Sequence, residues 1–132
     1  MKVPARYEYL AQISEFIADI ARDANLNEEA IYAVQLAVDE ACSNIMEHAY
    51  QGRGQGEIIC TCENNDESLI ITLYDQGIQL NPEDIPVFNL DTPLEDLKTG
   101  GAGVYLMHKL MDRVHYESDR QHGNKLELVK RK

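Results

Sequence analysis

Three groups of residues carry side chains, or bare backbone, suited to chemistry. The first is Glu40 and Asn44 in "VDEACSNIMEHAY". Four residues apart on a helix, their side chains are neighbours. An Asn carbonyl is a hard oxygen that suits Mg²⁺ retaining most of its waters, and a nearby Glu can serve as a general base or orient a water. The second is Asp75-Gln76-Gly77, closing the apolar run "LIITLYD". A carboxylate there can accept from an exocyclic amine, with glycine leaving room for a flat ligand. The third is "DLKTGGAGVYLMHKLMD", residues 96–112, which places three of the chain's eight glycines, Gly100, Gly101 and Gly103, ahead of an apolar segment. Glycine costs a helix interior roughly 1 kcal/mol relative to alanine, so that turn needs bare backbone. A glycine turn feeding a helix N-terminus presents N–H donors and a positive dipole end to an anion.

Each group also has a plain reading. Glu40 and Asn44 can sit on a solvated helix face, Asp-x-Gly can be an ordinary turn, and the glycines can be a hinge. Two known phosphate motifs are absent at the glycines: no Gly-Lys-Ser/Thr follows them and no strand immediately precedes them.

The elements that position these groups follow from periodicity. Leu10, Ile13, Phe16, Ile17 and Ile20 predict a helix over 8–24, ended by Asn25. Asn27 reads as the N-cap of a second helix running to about Tyr50, with Glu28 and Glu29 in its first turn. Ile31, Val34, Val38, Ala41, Ile45 and Ala49 fall within about a quarter turn at 100° per residue and form its core face. Glu40 and Asn44 lie on another side beside Ala33, Leu36 and Ala37, and residues 41–46 carry no charge, as in a wall that something packs against. Gly52, Gly54 and Gly56 make a turn. "EIICTCE" and "SLIITLYD" read as a hairpin turning at 64–67. Residues 78–99 hold three of the four prolines and five acids with little periodicity, as a functional or mobile loop does. A helix to about Asp112, a strand near "RVHYES", a turn at 122–124 and a last strand "KLELVK" complete the order. It predicts an α+β fold with helices on one face of a mainly antiparallel sheet.

Composition bounds the rest. At 132 residues the chain is one domain, residues 1–132, able to bury about 68% of its unfolded surface. A net charge of −11 argues against direct nucleic-acid binding and repels a polyanion at long range. Phosphate binding must then come from local donors and a cation. Three cysteines suit a reducing compartment and read as buried thiols. With no 18-residue apolar run and no leader pattern, no membrane span is predicted and the expected location is cytoplasmic. The histidines, at 48, 108, 115 and 122, are scattered and form no relay.

Taken together and in this order, the three groups resemble the N-, G1- and G2-boxes of the GHKL ATPase superfamily. Within it, "VDEACSNIMEHAY", "GGAGVYLMHKLMD" and the opening "KVPARYEYL" look most like the bacterial anti-sigma-factor serine kinases, the switch-protein kinase type. The resemblance implies the two-layer α/β sandwich of the Bergerat fold, on a mixed, mainly antiparallel sheet. It implies Asn44 as the Mg²⁺ ligand and Glu40 as base for the attacking nucleophile. Asp75 would accept from the adenine amine, with Gly77 giving it room. Gly100, Gly101 and Gly103 would shape the phosphate end, and Lys98, Thr99 and Val104 would join the ATP-contacting set. Residues 78–99 would be the ATP lid.

The implied activity is transfer of the ATP γ-phosphoryl group to a serine of a STAS-type anti-anti-sigma protein. A sigma factor is the second implied partner, and a homodimer the implied assembly. The alternative is a nucleotide-dependent module that sequesters a partner and transfers nothing. No histidine precedes Asn27, which argues against the histidine-kinase branch. The family's final-strand threonine is absent; that segment reads "GNKLELVK", with Asn124 and Lys125.

Overall fold

A computed structural model describes residues 1–78, 101–119 and 121–132, with residues 101–105 described as backbone alone. Strand β1 (Lys2–Pro4) leads through a single 3-10 turn into helix α1 (Leu10–Asp23). Helix α2 (Glu28–Asn44) runs on into a π-helical turn, Ile45–Ala49. The hairpin β2 (Glu57–Asn64) and β3 (Ser68–Asp75) follows, then helix α3 (Gly101–Leu110), β4 (Arg113–Asp119) and β5 (Gly123–Arg131).

Local chemistry explains the boundaries. Asn25 ends α1 with a left-handed φ of 64°. The Asn27 side chain accepts from the Ala30 N–H at 2.8 Å, capping α2. The Asn65 side chain accepts from the Glu67 and Ser68 amides and closes the β2–β3 hairpin. The predicted second helix holds in extent, but its last turn is π rather than α. The Tyr50 N–H bonds back to the Ile45 carbonyl at 2.9 Å, five residues away. Such turns recur at functional sites, and this one begins immediately after Asn44.

The strands form one sheet in the order β1-β2-β3-β5-β4. Every pairing among the described residues is antiparallel, in line with the expected mixed, mainly antiparallel sheet. Alternate residues, Ile58 and Cys60 on β2, Leu69, Ile71 and Leu73 on β3, and Leu128 on β5, are buried in one core. Against them pack Ile13 and Ile17 of α1, the predicted stripe of α2, and Met107 and Met111 beyond it. Burying each such side chain contributes about 1.5–3 kcal/mol. Helix α2 lies against both α1 and α3. The α1 contact includes Gln35, whose amide donates to the Ser14 carbonyl and hydroxyl. Helix α2 is thereby fixed between two helices and above the sheet, which sets the orientation of Glu40 and Asn44.

Candidate functional site

The site begins where β3 ends. Asp75 is only 5% exposed, although a buried carboxylate is costly unless hydrogen-bonded. Its Oδ1 accepts two bonds, from the Gly77 N–H at 2.9 Å and from the Asn124 side-chain amide at 2.7 Å. Burial raises its pKa, and these two donors oppose the rise. Both of these bonds fall on the same carboxylate oxygen, Oδ1.

Asp75 shares a cavity of about 130 Å³ with Asn44 of α2. Ala41, Ile45 and Ala49 of α2 and its π turn, Met107 and His108 of α3, Val114 and Tyr116 of β4, and Leu126 of β5 complete the lining. Burial lowers the His108 pKa, which favours the neutral imidazole. The space is smaller than the roughly 300–1,000 Å³ of a pocket that engulfs a drug-sized molecule. It suits one flat end of a ligand, with an apolar wall and an acceptor at its base. A larger, more open hollow of about 570 Å³ lies beside Arg6, Tyr50, Gly56, Ile59 and Tyr74. Ile59 and Tyr74 point away from the helices there.

Gly77 sits in the structure for a different reason from the one its spacing suggested. A Cβ at this position would lie 2.5 Å from the Ala49 carbonyl oxygen and 2.7 Å from the Ala49 side chain. The room a missing side chain leaves is therefore taken by the π turn. The next peptide confirms the closeness, since the Ile78 N–H donates to the Ala49 carbonyl at 2.7 Å. Tyr50 adds a brace. Its hydroxyl donates to the Glu57 carbonyl and accepts from the Gln76 N–H, both at 2.8 Å. Its ring lies where a Cβ on Gly56 would be, 2.4 Å away, and Gly56 has a φ of +89°.

Of the sequence-predicted residues, the structure brings Asn44 and Asp75 into one cavity. Glu40 is half-buried and stands outside that lining. Four residues along α2 displace it by about 6 Å from Asn44. Gly101, Gly103 and Val104 lie in the first turn of α3 itself rather than in a turn before it. Their N–H groups are among the first-turn donors that lack intrahelical acceptors. Lys98, Thr99, Gly100 and the predicted lid from residue 79 onward lie outside the described residues. Sequence reasoning did not assign Asn124, Met107, Tyr116 or Leu126 to the site. For Asn124 the signal was its offset from the family pattern; the others read as ordinary core. Among the described residues, no group of three His, Cys, Asp or Glu is placed to hold a metal ion, and no helix is long and apolar enough to cross a membrane.

Comparison with known sequences and structures gives concordant results. Residues 3–130 match the sequence pattern of the histidine kinase-like ATPase domain. The chain is 33% identical over 124 residues to the serine-protein kinase RsbW of Bacillus licheniformis, covering 90% of this chain and 77% of that protein. It is 31% identical over 123 residues to the serine-protein kinase RsbW of Bacillus mycoides, covering 90% and 76%. Its fold resembles the histidine kinase domain of the blue-light activated histidine kinase from Erythrobacter litoralis EL346, with a TM-score of 0.57 at 18% identity. That match covers 97% of this chain but 61% of the other.

Proposed function

From the premise that this chain belongs to the histidine kinase-like ATPase domain family, we propose that it is an ATP-dependent protein serine kinase of the anti-sigma-factor type. The observation that carries the reading is the shared cavity of Asn44 and Asp75, with the Gly77 and Asn124 donors both on Asp75 Oδ1. An exocyclic amine is the donor that fits an acceptor at the floor of a small apolar cavity. Adenine carries such a group, and Met107, Val114 and Leu126 supply apolar surface for its ring.

Asn44 and, one turn away on α2, Glu40 would then serve the triphosphate end of the nucleotide. The Asn44 side chain has no hydrogen-bond partner among the described residues, and one amide oxygen is a fitting protein ligand for a cation whose other ligands are phosphates and water. Bound Mg²⁺ would offset phosphate charge, which a chain of net charge −11 cannot do by its overall field. The first-turn amides of α3, at Gly101 and Gly103, would donate to phosphate oxygens. Glu40 would take the proton from the attacking serine hydroxyl as it approaches the γ-phosphorus. That hydroxyl belongs to a small STAS-type protein, with the unphosphorylated form releasing a bound sigma factor. In this reading residues 1–132 are one kinase domain working in the cytoplasm as a homodimer, and residues 78–99 serve as its lid.

The test is phosphotransfer from labelled ATP to a STAS-type protein, beside calorimetric ATP binding with and without Mg²⁺. Mg²⁺-dependent binding with transfer that Glu40→Gln abolishes supports the kinase. Binding without transfer would leave the sequestering module. No binding would end both readings.

A further inference from the structure

We propose that Asn124 is a positioning residue for the nucleotide: its side-chain amide holds the Asp75 carboxylate and the two peptides that follow it, so that the second carboxylate oxygen is presented to the cavity. The inference rests on Asp75 as the base acceptor and deepens that reading.

The geometry is that of a central anchor. Asn124 and Asp75 are direct cross-strand partners on β5 and β3. Asn124 is 3% exposed, so its amide cannot exchange freely with water. Its Nδ2 lies 2.7 Å from Asp75 Oδ1, 3.1 Å from the Gly77 carbonyl and 3.4 Å from the Ile78 carbonyl. All three are acceptors, which fixes the amide with its NH₂ group toward them. Two hydrogens serve three acceptors, and the longest contact is the shared one. The same side chain therefore sets the carboxylate and the exit of the chain from β3. The Ile78 N–H is held from the other side by Ala49. A leucine at 124 would fill similar volume and offer no donor. A threonine would keep one donor.

Loss of the Asn124 donor has a signature that general damage lacks. The donor favours the charged form of Asp75, so removing it lets the carboxylate take up a proton at higher pH. A protonated Asp75 is a poorer acceptor for the base. Binding in the variant then fails earlier as pH falls. The other ionisable groups around Asp75 are His108 of α3 and Tyr116 of β4 in the cavity lining, and Tyr50, whose hydroxyl meets the Gln76 N–H. These groups and the ATP phosphates are common to both proteins and largely cancel in the ratio of affinities.

The experiment is calorimetry of Mg-ATP on the full chain across acidic to mildly alkaline pH, for wild type, Asn124→Leu, Asn124→Thr, Asp75→Asn and the Asn124→Leu/Asp75→Asn double variant. Asn124→Leu should weaken binding about 10- to 100-fold at neutral pH, with the gap widening toward acid. Asn124→Thr should fall between the two. In the Asp75→Asn background Asn124→Leu should cost little more, because both substitutions remove one interaction. Wild-type affinity in Asn124→Leu, or a pH-independent loss that adds fully to Asp75→Asn, would overturn the positioning role while the nucleotide site stands. Wild-type affinity in Asp75→Asn would instead remove the reading beneath it. If Asn124→Leu does not fold, Asn124→Thr and Asn124→Ala are judged by the same pH dependence and additivity.

Discussion

The two ends of the candidate site are built in opposite ways. At the sheet end, Asp75 is buried and bonded twice, Gly77 is pressed against Ala49, and Asn124 binds three acceptors at once. At the helix end, Glu40 and Asn44 are half-buried, and neither bonds to another side chain among the described residues. One end is finished before any ligand arrives. In the proposed reading the other would take its partners from the ligand, a cation and a string of phosphate oxygens. The contrast matches the tasks. Recognising a base needs a fixed acceptor, because an imprecise one discriminates poorly. Phosphoryl transfer needs groups that meet charge only as it develops.

This comparison can be broken at either end. The largest expected effect is at the helix end: Glu40→Gln should lower phosphotransfer about 10²- to 10⁴-fold, as loss of a general base does, while calorimetric ATP affinity stays close to wild type. Equal losses of transfer and affinity would place Glu40 in binding and erase the division of labour. Next, Asp75→Asn should weaken ATP binding by about 1.5–3 kcal/mol, roughly 10- to 150-fold in Kd. Unchanged affinity would remove the sheet end from base recognition. Gly77→Ala should both lower thermal stability, by about 1–3 kcal/mol for the forced overlap with Ala49, and weaken ATP binding; a stable variant with normal affinity would mean that the β3 exit is not rigid. The smallest effect is a control away from both ends. Asn27→Ala should cost about 1 kcal/mol through the lost cap, read as a lower Tm, with ATP affinity preserved.

The same division explains what the sequence made legible. The apolar stripe of α2, the Asn27 cap and the β2–β3 hairpin depend on residues a few positions apart, and periodicity exposes them. Glu40 and Asn44 were visible for that reason too, being one turn apart. The sheet end depends on partners far apart in the chain. Asn124 was visible only as a departure from the family's threonine, because its meaning lies in the pairing of β3 with β5. The reason for Gly77 was misread in the same way: the atom that excludes a side chain belongs to Ala49, in another element. The π turn was invisible because its residues keep a helical pattern while one hydrogen bond shifts by a residue. Helix α3 began sooner than the glycines suggested, since tertiary packing onto α2 outweighs their poor propensity.

The bond between Asn124 and Asp75 spans 49 positions, and that distance has a consequence for how the protein comes to be. The helices and the β2–β3 hairpin close loops of a few residues and can form in microseconds. The Asp75 corner requires the ends of a much longer loop to meet, an entropic cost that comes before any contact rewards it. The chain should thus acquire most of its secondary structure before it acquires the acceptor, and a nucleotide would be captured only by molecules in which β5 has docked. ATP would then act as a ligand of the assembled sheet, favouring molecules in which β5 is paired with β3.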